Sequence, residues 1–375
     1  FSKGREGSRY CVWNLLEEID MPGEYFTDKY NMKIYYYPPY TLKNTKAEII
    51  TFFDTMLKFN ECSNIEIKGI NFDKSGGQVI VADGVDGLTV KDCSFKNMQQ
   101  VNTISVANNS YNVIIDSNDF YRCGGTCVYI KSGDIDTLKR GNSIISNNYI
   151  LDSGYTPMAM AGAIRGPRAN SQRNSNCGVT VKNNLIQNFE GGTGITVEGA
   201  WCDVVNNEII NVGKNVDDGG AIYMGRVATL YGSEIAYNYI HDFNMENFFC
   251  GLYNDDSYAG TNWHHNICVN MPRPSINGLG MDMNFNYNIA YNCIYPQNAG
   301  NRMPRESMYG DNMKKEAEHV VNDLGEYYNE AFPQIKESLK REPYFAMWNT
   351  VFFGNVGVKT GGATVSGSED VLPIY

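Results

Sequence analysis

Short runs of alternating apolar and polar residues recur along this chain, each followed by Asn, any residue and an apolar residue. The pattern reads VIIDSNDF at Val113–Phe120, SIISNNYI at Ser143–Ile150 and VTVKNNLI at Val179–Ile186. It returns as DVVNNEII at Asp203–Ile210, EIAYNYI at Glu234–Ile240, NWHHNIC at Asn262–Cys268 and NFNYNIA at Asn284–Ala290. Two earlier copies, IEIKGINF at Ile65–Phe72 and LTVKDCSF at Leu88–Phe95, lack the Asn. Alternation with period two marks a strand with one buried face.

The markers Ile70, Cys93, Asn118, Asn148, Asn184, Asn207, Asn238, Asn266 and Asn288 are separated by 23, 25, 30, 36, 23, 31, 28 and 22 residues. A repeat of this length points to a solenoid. The shortest spacing is one coil, and the excess is loop, giving about nine stacked coils. An Asn at a sharp bend is expected to take a left-handed backbone and to bond its neighbours in the stack, forming an asparagine ladder. The competing reading is a polar β-sandwich with hairpin turns, for which the long-period register is accidental.

A second strand follows each marker, often opened by glycine: GAIRGPR from Gly162, GITVEGA from Gly194, GAIYMGR from Gly220 and GLYNDDS from Gly251. The fold class expected is all-β, a right-handed parallel β-helix. Residues 1–56 are a turn- and strand-rich segment packing on the solenoid end, and residues 57–300 are the β-helix. Residues 301–347 hold a helical insertion, because Ala317, Val320, Val321, Leu324, Tyr327, Tyr328 and Ala331 share one helical face. Residues 348–375 return to the coil pattern.

Composition narrows the partners. The net charge is −11 and the pI about 4.9. That charge lacks the basic field a nucleic-acid binder carries. No stretch of eighteen apolar residues is present, so no membrane span is expected. Cys62, Cys93, Cys123, Cys127, Cys177, Cys202, Cys250, Cys268 and Cys293 are spread through the coils beside apolar strand positions. They read mostly as buried thiols, with some disulfides as the alternative. The chain opens on Phe1, without initiator Met or signal peptide, and is expected to be a piece of a longer protein.

Lining up the second strands by their opening glycines places Arg165 and Arg168, Glu198, Met224 and Arg226, then Asp255 and Asp256, at or just past one strand end. Asp217 and Asp218 enter a central strand. Several loops leaving that end are long, the usual setting for a substrate groove. Carboxylates on neighbouring coils suit glycoside hydrolysis, in which one protonates the leaving oxygen and another attacks the anomeric carbon or activates water. Crowding raises one carboxyl's pKa and keeps it protonated. Glu198, Arg226, His241, Tyr253, Trp201 and Arg165 are the candidate substrate-binding residues. Each has a plainer reading: a tight turn at Asp217-Asp218, a solvated loop or a Ca²⁺ site at Asp255-Asp256, charge pairing for the arginines, core capping for Trp201 and a structural role for His241. No His/Cys spacing resembles a zinc site, and no cofactor is expected other than that Ca²⁺.

The segments YCVWNLLEEIDMPGEYFTDKYNMKIYYYPP and DDGGAIYMGR…NYIHDF…GLYNDDSYAGTNWHHNICVN resemble bacterial parallel β-helix carbohydrate-active proteins. The nearest likeness is to glycoside hydrolase family 141, which includes α-L-fucosidase and xylanase activities. The resemblance implies two catalytic aspartates on neighbouring coils, one of Asp217/Asp218 and one of Asp255/Asp256, with Asp218 and Asp255 preferred. It also implies an oligo- or polysaccharide substrate and a secreted, cell-surface or periplasmic location. Polysaccharide lyase, uronate epimerase and non-catalytic glycan binding are the alternatives. Oligomeric state is not read from the sequence.

Overall fold

The computed structural model describes every residue except 1–13, 44–46, 100, 157–160, 168–173, 215, 217, 245–248, 257, 274, 301–307, 343, 345–346, 363 and 367–375. Residues 1–50 form one compact unit and 51–375 another. In the first, strands Tyr25–Asp28 and Lys33–Tyr36 pair as an antiparallel hairpin. Asp28 Oδ1 accepts from the Tyr30 and Asn31 amides in its turn, at 3.0 Å each.

The second unit is a right-handed parallel β-helix. Each coil contributes one strand to each of three parallel sheets, here called A, B and C. Sheet A has eleven strands, from Leu57–Asn60 to Thr364–Ser366. Sheets B and C have ten each, starting at Ser63–Lys68 and Asn71–Ser75. The alternation read from the sequence sets the register. Ile80, Ile104, Val128, Ile164, Ile195, Ile222, Leu252 and Ile276 stack in one inward column of sheet A. Each is buried, which is worth roughly 1.5–3 kcal/mol per side chain. Phe72, Phe95 and Phe120 stack at 5.1 and 4.8 Å at one end of the core, and Trp263, Phe285 and Phe352 at 5.8 and 4.7 Å at the other.

The asparagine ladder runs through the B–C corner. Asn118, Asn148, Asn184, Asn207, Asn238, Asn266 and Asn288 each donate a side-chain N–H to the next rung's Oδ1, at 2.9–3.0 Å. Each also donates to a carbonyl of the coil before, and its main-chain N–H takes the next rung's Oδ1 as well. Corner main-chain groups that no sheet can pair are satisfied this way.

Two expectations are corrected. The left-handed residue is the one before each rung, namely Asp92, Ser117, Asn147, Asn183, Asn206, Tyr237, His265 and Tyr287, with Gly69 and Gly354 at the ends. The rung itself must point inward to bond along the stack, so its predecessor makes the bend. Secondly, the described residues form ten coils, where the markers alone gave about nine. The last rung, Asn355, lies 67 residues beyond Asn288. The helices Met308–Asp323, Gly325–Ala331 and Pro333–Ser338 interrupt that coil, and Val351–Phe353 and Val356–Val358 rejoin sheets B and C.

The helical insertion docks on loops that follow sheet A. Tyr328 Oη donates to Ile135 O at 2.6 Å. Phe332 packs on Trp201 at 4.9 Å and Tyr231 at 5.9 Å. Arg341 holds Asp282 through two hydrogen bonds of 2.9 and 3.0 Å. The nine described cysteines are all free thiols. No described helix is long and apolar enough to cross a membrane.

Candidate active site

Side chains alternate across a strand, so the residues between the inward aliphatics of sheet A face outward. One such row runs Tyr129, Arg165, Thr196 along adjacent coils, and Tyr223, Tyr253, Asn277, Asn298 along the later ones. Tyr223, Tyr253 and Cys250 form a small buried cluster separate from the main core. The two rings meet edge to face at 5.2 Å.

Strand Gly219–Gly225 pairs with Phe249–Asp255 so that Tyr223 lies beside Tyr253 and Gly225 beside Asp255. A Cβ at Gly225 would stand 2.8 Å from Tyr223 Oη and 3.2 Å from Asp255 Cβ. Glycine therefore leaves room for Tyr223 to donate to Asp255 Oδ2 at 2.8 Å. Asp255 is 3% exposed. Burial holds its carboxyl above the ordinary carboxylate range, with the negative charge of Asp256 adding to the effect. Hydrogen bonds from Tyr223 and Tyr253 and the nearby Arg226 oppose that shift without cancelling it. Burial and the Asp255 charge push both tyrosine hydroxyls well above their usual range, so they stay protonated donors.

Arg226 follows the strand end in a left-handed conformation, φ 69°. Its Nε donates to Asp256 at 3.2 Å, and a terminal nitrogen lies 3.8 Å from Asp255 Oδ2. It thus brings to this acidic pair the kind of positive charge that a calcium ion would supply. Asp218 is exposed at the start of the central strand, and Tyr253 Oη donates to its Oδ1 at 3.3 Å. The charge of Asp255 also acts on this hydroxyl, so Tyr253 lies near both carboxylates.

The structure brings Asp218, Asp255, Asp256, Arg226 and Tyr253 together, and Asp217 lies outside the described residues. Glu198 is adjacent and as buried as Asp255, at 2% exposed, but its Oε1 is committed to the Gly225 amide at 2.6 Å. Arg165 occupies the outward row further toward the N-terminal coils, with its Nε donating to Gly166 O. Arg168 lies outside the described residues. Trp201 is engaged in the helical dock, with Phe332 on its ring and Arg140 stacked at 4.2 Å. His241 sits on sheet C, bonded to Glu208 at 3.2 Å and Asp242 at 2.9 Å. The long loops expected to wall a groove are partly the landing site of the helices. Among the described residues no group of three or more His, Cys, Asp or Glu gathers in metal-binding geometry.

The glycine alignment was one residue off. Gly162, Thr193, Gly220 and Cys250 share a column, not Gly194 and Gly251. A one-residue slip turns side chains to the opposite face. It hid Tyr223, which sequence reasoning missed, behind Met224. The signal available was the aromatic pair itself, one Tyr in GAIYMGR and one in GLYNDDS.

Residues 56–235 match the family model described as a right-handed β-helix region. The matched span takes in Glu198, Asp218, Tyr223 and Arg226, and ends before Asp255. No curated protein and no solved structure compared with the chain matches it. The match agrees with the right-handed parallel β-helix of the structure and does not reach glycoside hydrolase family 141.

Proposed function

We propose that this β-helix is a glycoside hydrolase, with Asp255 as acid/base and Asp218 as the second carboxylate. The observation that carries the reading is the buried Asp255 carboxyl, biased toward its protonated form, with nearby Tyr253 donating to the exposed Asp218. Asp255 gives its proton to the glycosidic oxygen as the C–O bond breaks. The Asp218 carboxylate attacks the anomeric carbon and forms a glycosyl ester. Asp255, now ionised beside Arg226, takes a proton from the water that hydrolyses this ester. A carboxylate separation near 5 Å accompanies retention, and 6.5–9.5 Å accompanies inversion. With Asp218 as the nucleophile, retention is the expected course. Tyr223 and Tyr253 hold Asp255, and the outward row of sheet A offers sugar-binding groups on either side.

The test is a glycan panel with wild type, Asp218→Asn and Asp255→Asn, reading products and the anomer first released. Loss of about 10³-fold or more in kcat for both variants, with the released anomer retained, supports the pair. Because the folded pKa of Asp255 is raised, its ionisation costs stability as pH rises through that pKa. Asp255→Asn is therefore expected to be at least as stable as wild type at pH 7, which separates lost chemistry from lost fold. Undiminished cleavage by both variants defeats the assignment. An unsaturated, ultraviolet-absorbing product assigns the site to a lyase instead.

A further inference from the structure

The outward face of sheet C changes character partway along the solenoid. One column reads Asn71, Ser94, Asp119, Tyr149, Leu185, Glu208 and then Tyr239, Ile267, Ile289, Val356. The parallel column ends His241, Val269, Tyr291, Val358. The bend residue before each rung is Asp, Ser or Asn from Asp92 to Asn206, and then Tyr237, His265 and Tyr287. The bend residues switch at one coil boundary, and from that boundary on the first column is continuously apolar. Tyr239, Ile267, Ile289 and Val356 are 40–50% exposed, and Tyr237 and Tyr287 about half exposed. A bulky side chain at positive φ is disfavoured, yet this corner has three in succession, at φ 58°, 53° and 56°.

We propose that this face is the core of a two-fold interface between two copies of the chain, packed sheet C on sheet C with antiparallel solenoid axes. Three features favour a second copy as the occupant. The first is shape: the face is a flat sheet, and sheets pack face to face about 10 Å apart. The second is size: four coils at about 4.8 Å by strands of three residues give roughly 200 Å² of largely apolar surface. That matches the apolar centre of a standard interface, about 800 Å² per partner, whose remainder is polar rim. The third is charge. The strand-end column runs Asp242, Asn270, Asn292, Lys359, with a carboxylate at one end of the patch and an ammonium at the other. Hydrogen bonds from His241 and Asn270 hold Asp242 ionised.

A two-fold axis in the interface plane, perpendicular to the solenoid axes, exchanges the first and last of these four coils. It sets Ile267 of one copy on Ile289 of the other, and Lys359 on Asp242. The patch is thus complementary to itself, as a closed dimer requires.

The experiment is light scattering with size-exclusion chromatography on the full chain, across concentrations up to about 100 µM, a range that detects weak homodimers. The expected mass is twice 42.1 kDa. Ile267→Glu is expected to weaken association at least tenfold without unfolding, since Glu208 already occupies that column. Tyr239→Glu repeats the test one coil earlier. Lys359→Asp is expected to weaken association at least threefold, and Lys359→Asp with Asp242→Lys to restore it. Lysine is admissible at the Asp242 bend because Lys74 and Lys359 hold that conformation in this chain. A wild-type monomer throughout, or a dimer that persists in both Glu variants, overturns the proposal. A dimer lost in the Glu variants but unmoved by the charge swap overturns the antiparallel arrangement. None of these outcomes touches Asp255 or Asp218.

Discussion

The asparagine ladder permits the most direct energetic test, at its central rung Asn238. Its Oδ1 accepts from the Asn207 main-chain and side-chain nitrogens, both at 3.0 Å. Its own amide donates to Val204 O at 2.8 Å and Asn266 Oδ1 at 2.9 Å. Asn238→Ala leaves two buried donors of Asn207 without that acceptor and removes a donor from two buried oxygens. The Asn266 oxygen keeps the Asn238 main-chain N–H. Each orphaned donor costs about 1–3 kcal/mol, so the expected loss is about 4 kcal/mol. With roughly 2.1 cal/mol/K per residue of unfolding entropy, that lowers Tm by about 5 °C if the solenoid melts as one unit.

The assay is urea and thermal unfolding by circular dichroism. The control is Asn284→Ala, which removes a solvent-facing amide pair with Asn262 of 2.7 Å and is expected to change stability by no more than about 0.5 kcal/mol. Solenoid stability is a sum over neighbouring repeats, so a broken rung can also uncouple the coils on either side. That appears as a reduced m value or a second transition. A variant that melts with wild type, or matches the Asn284→Ala control, refutes the view that the ladder carries corner stability.

Two further outcomes follow from charged groups. The Asp116 carboxyl is held at about 2 by hydrogen bonds from Ser146, Asn147, Lys91 and Ser117, which outweigh its burial. A depressed acid stabilises the fold above its unfolded pKa, near 3.8, and loses that contribution as pH falls through about 2. Unfolding between pH 5 and pH 1.5 is therefore expected to show a stability loss of about 2 kcal/mol that Asp116→Asn lacks. Arg341→Ala leaves Asp282, 8% exposed, with Tyr231 and Asn349 as donors but no cation. A stability loss of about 2 kcal/mol, with faster proteolysis within residues 308–338, is expected; proteolysis unchanged from wild type would show that this ion pair does not hold the helices down.

Much of the fold was legible because one requirement repeats. The columns Ile150–Ile186 and Ile209–Ile240 fall where the Asn markers put them. The tenth coil was harder to see because the helices separate its Asn355 from Asn288. The bend residue was misassigned for a specific reason. Asn147-Asn148, Asn183-Asn184 and Asn206-Asn207 are doublets, and a doublet does not say which member points inward. Only the later coils, with Tyr-Asn at 237–238 and His-Asn at 265–266, distinguish the two, since the ring stays outside and the amide goes in.

The candidate site was less legible, because distance along a strand is not enough to assign a face. Glycines at 194 and 251 look like strand openings, but the openings are Thr193 and Cys250. That single step separates Met224, buried in the core, from Tyr223, which donates to Asp255. His241 shows the same limit at larger scale: it lies between the two acidic segments in sequence, but its strand belongs to sheet C. Trp201 was drawn into the candidate set by its proximity to Glu198, whereas a left-handed turn at φ 51° sends its ring to Phe332. What did transfer from sequence to site was the pairing of carboxylates by coil. Asp218 precedes strand Gly219–Gly225 and Asp255 ends the neighbouring strand, level with Gly225, so the two acids sit on neighbouring coils but at opposite strand ends. What links them is Tyr253, which donates to Asp218 and whose hydroxyl feels the Asp255 charge. The bias of Asp255 toward its protonated form comes from its burial and the charge of Asp256, and Tyr223, the neighbour that the correct register reveals, opposes it as a donor.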